Sequence, residues 1–318
     1  MAAAPAHRRS AIFAHFDPDG EVGPHVRRTI AALAAFVDRL VIVSTGALTP
    51  DARRWLRDAG ELIERDNSGH DFASYSVGIA HLQDEPDEPH ELILMNDSAV
   101  FPLTDLAHIF AVMDTREADV WGITPGFGYG PHIQSYMLVF RQHALRSAVF
   151  RDFWVPRPDT ISRDDVIIEY EVGLARRLRA AGFRLDTYFR PSARDLIRGA
   201  VRSHFAELQQ ALRERRWRRT MGWFRRLPGR AVRPEWNPSA ALADIALRRP
   251  DRLPVVKIST LRDDPYRLGT PALLYALEKA HPEHFTEVEE FLRRTDHAYD
   301  DCWLTTVGAP RARLRYSI

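Results

Sequence analysis

Glu91-Leu92-Ile93-Leu94-Met95-Asn96-Asp97-Ser98 is an apolar run that stops abruptly at an amide, a carboxylate and a hydroxyl. A continuous apolar stretch of this length fits a strand buried on both faces, as in a parallel sheet. In open α/β sheets, ligands settle at the carboxyl ends of such strands. Asn96-Asp97-Ser98 therefore marks a place to hold a phosphate, a metal ion or a sugar. About twenty residues earlier lies Arg65-Asp66-Asn67-Ser68-Gly69-His70-Asp71-Phe72, a polar turn that runs into an amphipathic helix.

Working outward, Ala11–Phe16 reads as a buried strand ending in the turn-rich His15-Phe16-Asp17-Pro18-Asp19-Gly20. Pro24–Leu40 has helical spacing, Leu40–Ser44 is a second strand, Pro50–Ala59 a helix and Glu61–Glu64 a short strand. A helix opening near Asp71 puts Phe72, Tyr75, Ile79 and Leu82 on one stripe. Strand Glu91–Met95, helix Leu103–Met113 and strand Val120–Ile123 continue the alternation, which predicts a doubly wound, mostly parallel sheet. After the glycine-rich loop Gly126–Pro131, His132–Arg141 reads as one strand and Arg163–Ala181 as a helix. The remainder reads as mostly helical, interrupted by Arg213–Pro234 and by a short strand at Val255–Ile258.

A chain of 318 residues, 45% hydrophobic, has room for one large α/β domain or for one domain with an appendage. The net charge of +1 conceals two uneven stretches. Asp84, Glu85, Asp87, Glu88 and Glu91 read as a solvated acidic loop with Pro86 and Pro89. Residues 213–233 hold nine arginines against Glu214, interleaved with Trp217, Trp223 and Phe224, which suits an anionic membrane surface or simply a solvated basic loop. No nucleic-acid-binding motif accompanies them, so no nucleic-acid partner is expected. A single cysteine, Cys302, excludes an internal disulfide and a cysteine-based zinc site. With neither a signal-like apolar segment at Met1–Arg9 nor a run long enough to span a bilayer, a cytoplasmic protein is expected, touching membrane from the surface at most.

Three further constellations carry chemistry. In the turn Asp66–Asp71, Gly69 permits close backbone approach and Asp71 suits a helix cap, leaving amides to meet a phosphate or sugar hydroxyl. On the helix Arg163–Ala181, Ile167, Glu171, Leu174 and Leu178 share one face, so Glu171 interrupts an apolar stripe. Loss of solvation there is expected to raise its carboxyl toward the range of a general base; the other reading is a structural pair with a buried donor. On a strand, His132, Gln134 and Tyr136 share a face suited to sugar hydroxyls, or to a wet edge. Asp97 itself could hold a divalent cation or merely start a turn.

Several strings together resemble the rhamnan synthesis protein F family of bacterial polysaccharide glycosyltransferases. They are Arg65–Phe72, Met95-Asn96-Asp97-Ser98, His132-Ile133-Gln134-Ser135-Tyr136 through Phe140, Asp152-Phe153-Trp154, Tyr170-Glu171-Val172-Gly173-Leu174, and Asn237-Pro238 followed by Pro254-Val255-Val256-Lys257. The resemblance runs in order from about Ile12 to Leu268 and implies a GT-A-like α/β fold, mostly parallel and flanked by helices, with a largely helical C-terminal part. It implies a catalytic nucleotide-sugar domain over 1–195 and a helical extension over 196–318 near acceptor or membrane. Asn96-Asp97-Ser98 would stand where such enzymes carry an Asp-x-Asp strand end, with an amide and a hydroxyl replacing the outer acids.

The activity so implied is inverting transfer of a deoxy-hexose, L-rhamnose from dTDP-L-rhamnose, to a glycan or lipid-linked acceptor in cell-surface polysaccharide synthesis. Glu171 would be the base and Asp97 the second catalytic residue, holding Mg²⁺ or Mn²⁺. Asp17, Ser44, Asp66, Asn67, Gly69, Asp71, Asn96 and Ser98 would bind the donor. His132, Gln134, Tyr136 and Lys257 would meet sugar or acceptor, and 213–233 the inner face of the membrane. Two rivals stand beside this: a non-catalytic nucleotide-sugar or glycan-binding module of the same fold, and a metal-dependent phosphoesterase, for which no dense His/Asp cluster is present.

Overall fold

A computed structural model describes residues 8–83, 89–127, 129–154, 167–213 and 236–299, with the backbone alone over 207–213. Its strands are β1 (Arg9–Phe16), β2 (Arg39–Thr45), β3 (Glu61–Arg65), β4 (Glu91–Asn96), β5 (Ala99–Val100) and β6 (Val120–Gly122). They continue with β7 (Pro125–Gly126), β8 (His132–Ile133), β9 (Met137–Arg141), β10 (Leu185–Thr187) and β11 (Val256–Lys257). Seven form the central sheet, in the order β10-β6-β9-β4-β1-β2-β3. Within it β9 alone runs antiparallel to its neighbours β4 and β6. This is the mostly parallel, helix-flanked α/β class that the sequence led one to expect.

The sheet is two-faced, and the strands alternate strictly to make it so. Ala11 and Phe13 of β1, Leu40 and Ile42 of β2, Ile93 and Met95 of β4, and Met137 and Val139 of β9 join one core. Ile12, Ala14, Val41, Val43, Leu92, Leu94, Leu138 and Phe140 point the other way into a second. Helices α1 (Pro24–Ala34), α2 (Pro50–Ala59) and α4 (Leu106–Asp114) contribute to the first layer. Helix α3 (His70–Gln83) packs Phe72, Tyr75, Ile79 and Leu82 into the second, the stripe read from the sequence. Burial on both faces explains why these strands read as continuous apolar runs.

The C-terminal half is largely helical among its described residues and folds back onto the strand ends. Antiparallel pairing of β5 with β11 sets Lys257 opposite Ala99, and the Ile258 N–H donates to the Ser98 carbonyl at 2.9 Å. A third apolar cluster joins Val100 and Leu103 to Ile258, Leu261, Leu273 and Leu292. Helix Ala193–Arg213 runs across the division proposed at 195/196.

Several local expectations are corrected. Helix α1 ends at Ala34 rather than near Leu40, because the Asp38 N–H already bonds the Arg9 carbonyl and begins the sheet. Helix α4 starts at Leu106, where the Asp105 side chain accepts the Ala107 N–H. His132–Arg141 is not one strand: β8 folds back on β7, and the sheet strand resumes at Met137. Of Arg163–Ala181, residues 163–166 lie outside the described residues; Ile167–Val172 is π-helical and Gly173–Ala180 α-helical. Glu91 is no loop acid but buried at the start of β4, ion-paired with Arg9 at 2.7 Å and Arg141 at 3.6 Å. Residues 84–88 and the basic segment from Glu214 to Arg233 lie outside the described residues.

Candidate active site

Strand order reverses between β1 and β4, and the crevice beyond their carboxyl ends is where such sheets bind ligands. One hydrogen bond spans this point: the Phe16 N–H donates to Asp97 Oδ2 at 2.5 Å. The turn after β4 is made by Asn96 rather than Asp97, its Oδ1 accepting the Ser98 N–H at 3.1 Å and the Ser98 hydroxyl at 2.7 Å. The Asn96 amide meanwhile donates to Asp71 Oδ2 at 2.6 Å. Asp71 therefore sits inside the first turn of α3, held from β4, and does not cap that helix as its position in the sequence suggested.

Two clefts open here. The first, about 420 Å³, is lined by Phe16, Asp17, Thr45, Asn67, Asp97 and Arg262, among others. The second, about 360 Å³, is lined by Asn96, His132, Gln134, Tyr136 and Glu171 with Tyr266. They share His70, Asp71, Ser98, Lys257 and Ser259 as a common wall. The chain thus brings Asp97 and Glu171 to neighbouring chambers, with Asp71 and Lys257 between them.

Electrostatics distinguishes the three carboxyls. Burial, and then the negative charge of Asp71, push Asp97 well above its ordinary value. Burial likewise raises Asp71, against the opposing pull of Asn96 and Lys257. For Glu171 burial also acts upward, but hydrogen bonds from His132 and Ser135 and the charges of His132 and Lys257 outweigh it, so its carboxyl lies below its ordinary value. The sequence pointed the other way because it showed the apolar stripe and not the donors. Ser135 Oγ donates to Glu171 Oε1 at 2.5 Å, and His132 Nε2 lies 3.1 Å from Oε2.

Other residues singled out in the sequence divide by position. Gln134 Oε1 accepts hydroxyls from Thr124 and Ser239, and the Tyr136 hydroxyl is bonded to Thr124, so both line their cleft with these atoms already engaged. Lys257 Nζ lies 5.4 Å from the Tyr136 ring centroid. Asp17 faces the first cleft, but Arg294 grips its carboxylate at 2.9 and 2.5 Å. Ser44 is buried and bonded to His15 Nδ1 at 2.9 Å; its neighbour Thr45 reaches the cleft instead. Asp66 and Asn67 are exposed, and of the two Asn67 borders a cleft. Gly69 and His70 both take left-handed backbone angles (φ of 69° and 54°), the geometry that turns the chain into α3.

Sequence reasoning missed four contributors. Alternation along a strand turns Ser135 away from His132 and Gln134, and the break between β8 and β9 brings it to the cleft instead. His15 and His25 line the first cleft, each pushed down to about 4 by burial. The His25 Nε2–H donates to the Asp97 carbonyl at 3.2 Å. Arg262, from the helix after β11, lies partly over the Tyr299 ring and lines the same cleft. Only the end of β1 could have pointed to His15; nothing in the sequence ties His25 or Arg262 to β4.

No group of three or more His, Cys, Asp or Glu side chains suited to a metal ion exists among the described residues. Asp97 and Asp71 are neighbouring carboxyls along the first cleft that could offer oxygen ligands to a divalent cation, the charge of Asp71 acting on Asp97.

The family model described as rhamnan synthesis protein F matches residues 40–214. The Sinorhizobium fredii protein y4gN is 28% identical over 157 residues, 48% of this chain and 41% of that protein. Virulence protein VirA of Vibrio anguillarum is 28% identical over 126 residues, 38% of this chain and 40% of that protein. The chain thus spans about two-fifths of the length of these curated relatives. Among solved structures, a nucleotidyl transferase from Methanothermobacter aligns at a TM-score of 0.35 and 13% identity, covering 57% of this chain and 86% of its own.

Proposed function

The chain belongs to the rhamnan synthesis protein F family, and on that premise we propose that it is a glycosyltransferase of polysaccharide synthesis. It moves a deoxy-hexose, L-rhamnose foremost, from a nucleotide-diphospho-sugar such as dTDP-L-rhamnose to a glycan or lipid-linked acceptor, with inversion. The observation that carries this reading is the paired clefts with a common wall, one beyond the ends of β1 and β4, the other holding Glu171.

The donor's nucleoside lies in the first cleft and its sugar at the wall. In the second, Glu171 takes the proton of the acceptor hydroxyl as that oxygen bonds the anomeric carbon and the diphosphate departs. Lys257 and Arg262 place positive charge beside the leaving group. A divalent cation carried by the donor would be held by Asp97 and Asp71 and would add positive charge there. His132, Gln134 and Tyr136 form the acceptor side. The basic segment 213–233, which beyond Arg213 lies outside the described residues, would meet an anionic inner membrane that presents the acceptor. No described helix is long and apolar enough to cross a membrane.

Release of nucleotide diphosphate from a panel of nucleotide sugars, with and without Mn²⁺, tests the reading. Glu171→Gln, which preserves shape and a hydrogen-bonding carbonyl, should lower transfer roughly a hundredfold or more; near-normal transfer by a folded variant would remove Glu171 as the base. A second reading, a non-catalytic binding module, draws on the fact that both Glu171 oxygens are already hydrogen-bonded. Such a module would bind donor in a thermal-shift assay yet release no diphosphate.

A further inference from the structure

His132 does more than line the acceptor cleft. Its Nδ1 lies 2.9 Å from the Gly130 carbonyl, which can only accept, so Nδ1 carries a hydrogen. The opposite nitrogen, Nε2, faces Glu171 Oε2 at 3.1 Å. A bare nitrogen lone pair against a carboxylate oxygen would repel, so a further proton lies on that line, and the pair is imidazolium with carboxylate or imidazole with carboxylic acid. The side chain of His132 is 3% exposed and that of Glu171 17%, so water replaces neither partner readily.

The glycine-rich loop is what holds the ring in this pose. Gly126 pairs with His132 across β7 and β8, and a Cβ at 126 would stand 2.1 Å from His132 Nε2 and 2.5 Å from Cε1. Any side chain there drives the ring out of line with Glu171. Gly130 supplies the carbonyl at the far side of the ring, with φ of +131°, an angle that side-chain-bearing residues rarely adopt. Gly126 and Gly130 thus serve one end: they fix the imidazole axis on a carboxylate contributed by the π-helical turn Ile167–Val172.

We propose that His132 is the positioning residue of the catalytic base, holding Glu171 ionised and oriented toward the acceptor hydroxyl, rather than a sugar-recognition residue. This rests on the assignment of Glu171 as base. In the transfer step the acceptor O–H bond breaks and its proton passes to Glu171. The acceptor oxygen bonds the anomeric carbon, and the carbon–phosphate oxygen bond breaks with its electron pair leaving on the diphosphate. His132 keeps its proton throughout, and Ser135 holds the other carboxylate oxygen. Among the described residues, the other titratable groups coupled to Glu171 or lining its cleft are Lys257 from β11, which also favours its ionised form, His70, Asp71 and Tyr75 from α3, and Tyr129, Tyr136 and Tyr266, with the Arg176 guanidinium near Gly130. Asp71 opposes that ionisation.

The test compares pH profiles of nucleotide diphosphate release from dTDP-L-rhamnose for the wild-type chain, Glu171→Gln, His132→Gln and Gly126→Ala. In His132→Gln, burial acts on Glu171 with less opposition, so the acid limb of kcat moves to higher pH. Its kcat below neutrality falls roughly ten- to a hundredfold, while KM stays within about twofold. Gly126→Ala keeps the histidine but displaces its ring, and moves the limb the same way; it carries the test should His132→Gln fail to fold. Proton NMR gives a readout without turnover: a downfield ring N–H resonance in the wild type, lost in Glu171→Gln and in Gly126→Ala. A raised KM with an unmoved acid limb, or no such resonance, overturns the proposal. Full transfer by Glu171→Gln would instead sink the base assignment, which is a separate result.

Discussion

Folding disfavours a charge on Asp97. Burial and the neighbouring Asp71 push its carboxyl up, so the native state holds that proton more tightly than the unfolded chain does. At neutral pH the ionised form therefore subtracts from stability, and the deficit disappears as pH falls below the ordinary carboxylate range, where both states are protonated. Asp97→Asn keeps an oxygen for the Phe16 N–H and removes the charge. It should raise Tm at neutral pH by about 2 °C or more while lowering transfer at least roughly tenfold. Differential scanning calorimetry beside the diphosphate-release assay checks this; a lowered Tm would mean the carboxylate is paired in a way the fold does not reveal. Glu171 is the converse case, an acid kept ionised by donors that sit far away in sequence.

At the scale of elements, strands were more legible than helices. Ala11–Phe16, Leu40–Ser44 and Glu91–Met95 were visible because two-sided burial makes a strand continuously apolar. His132–Arg141 misled, since its alternation is broken by a return onto β7 that only the tertiary contacts impose. Helix Ala193–Arg213 has an unusual outer face: Ile197, Val201 and Phe205, spaced four apart, are 66%, 47% and 60% exposed. The basic segment follows it directly in sequence, which supports the membrane-facing role proposed for 213–233. Flotation with vesicles containing anionic lipid should recover the protein at low salt and lose it at high salt, and Ile197→Ser with Phe205→Ser should weaken recovery. Equal recovery with neutral vesicles, or none with anionic ones, would refute that role.

Across the whole molecule, the C-terminal half completes the site. Lys257, Ser259 and Arg262 reach the clefts because β11 pairs with β5 immediately beyond Asp97. Arg294 then ties the far end back to the loop after β1 by gripping Asp17 and Asp19. Burial would raise Asp17, but Arg294 and the backbone N–H groups of Asp19 and Glu21 hold it below its ordinary value. A carboxyl depressed on folding adds stability that is present above its unfolded value and is lost as pH falls through the folded one. Arg294→Ala should destabilise by about 2 kcal/mol at neutral pH, less than for a fully buried pair because the guanidinium is partly exposed. Urea titrations from neutral to acid pH should show that difference shrinking as Asp17 protonates; a constant difference would assign the effect to packing instead.

The strand–helix alternation, the two-faced sheet and the polar strand end at Asn96-Asp97-Ser98 were determined by the sequence itself. Each depends on local periodicity and turn chemistry, which neighbouring residues carry between them. The identity of Glu171 as the acid on an apolar stripe was legible for the same reason. Its ionisation was not, because His132 and Ser135 converge on it from one distant stretch of the chain and Lys257 from another. Nor was the engagement of Asp17 by Arg294 or the retreat of Ser44 behind His15. Desolvation and charge pairing act through space over a few ångströms, so only the tertiary structure could decide which carboxylates are free to meet a ligand.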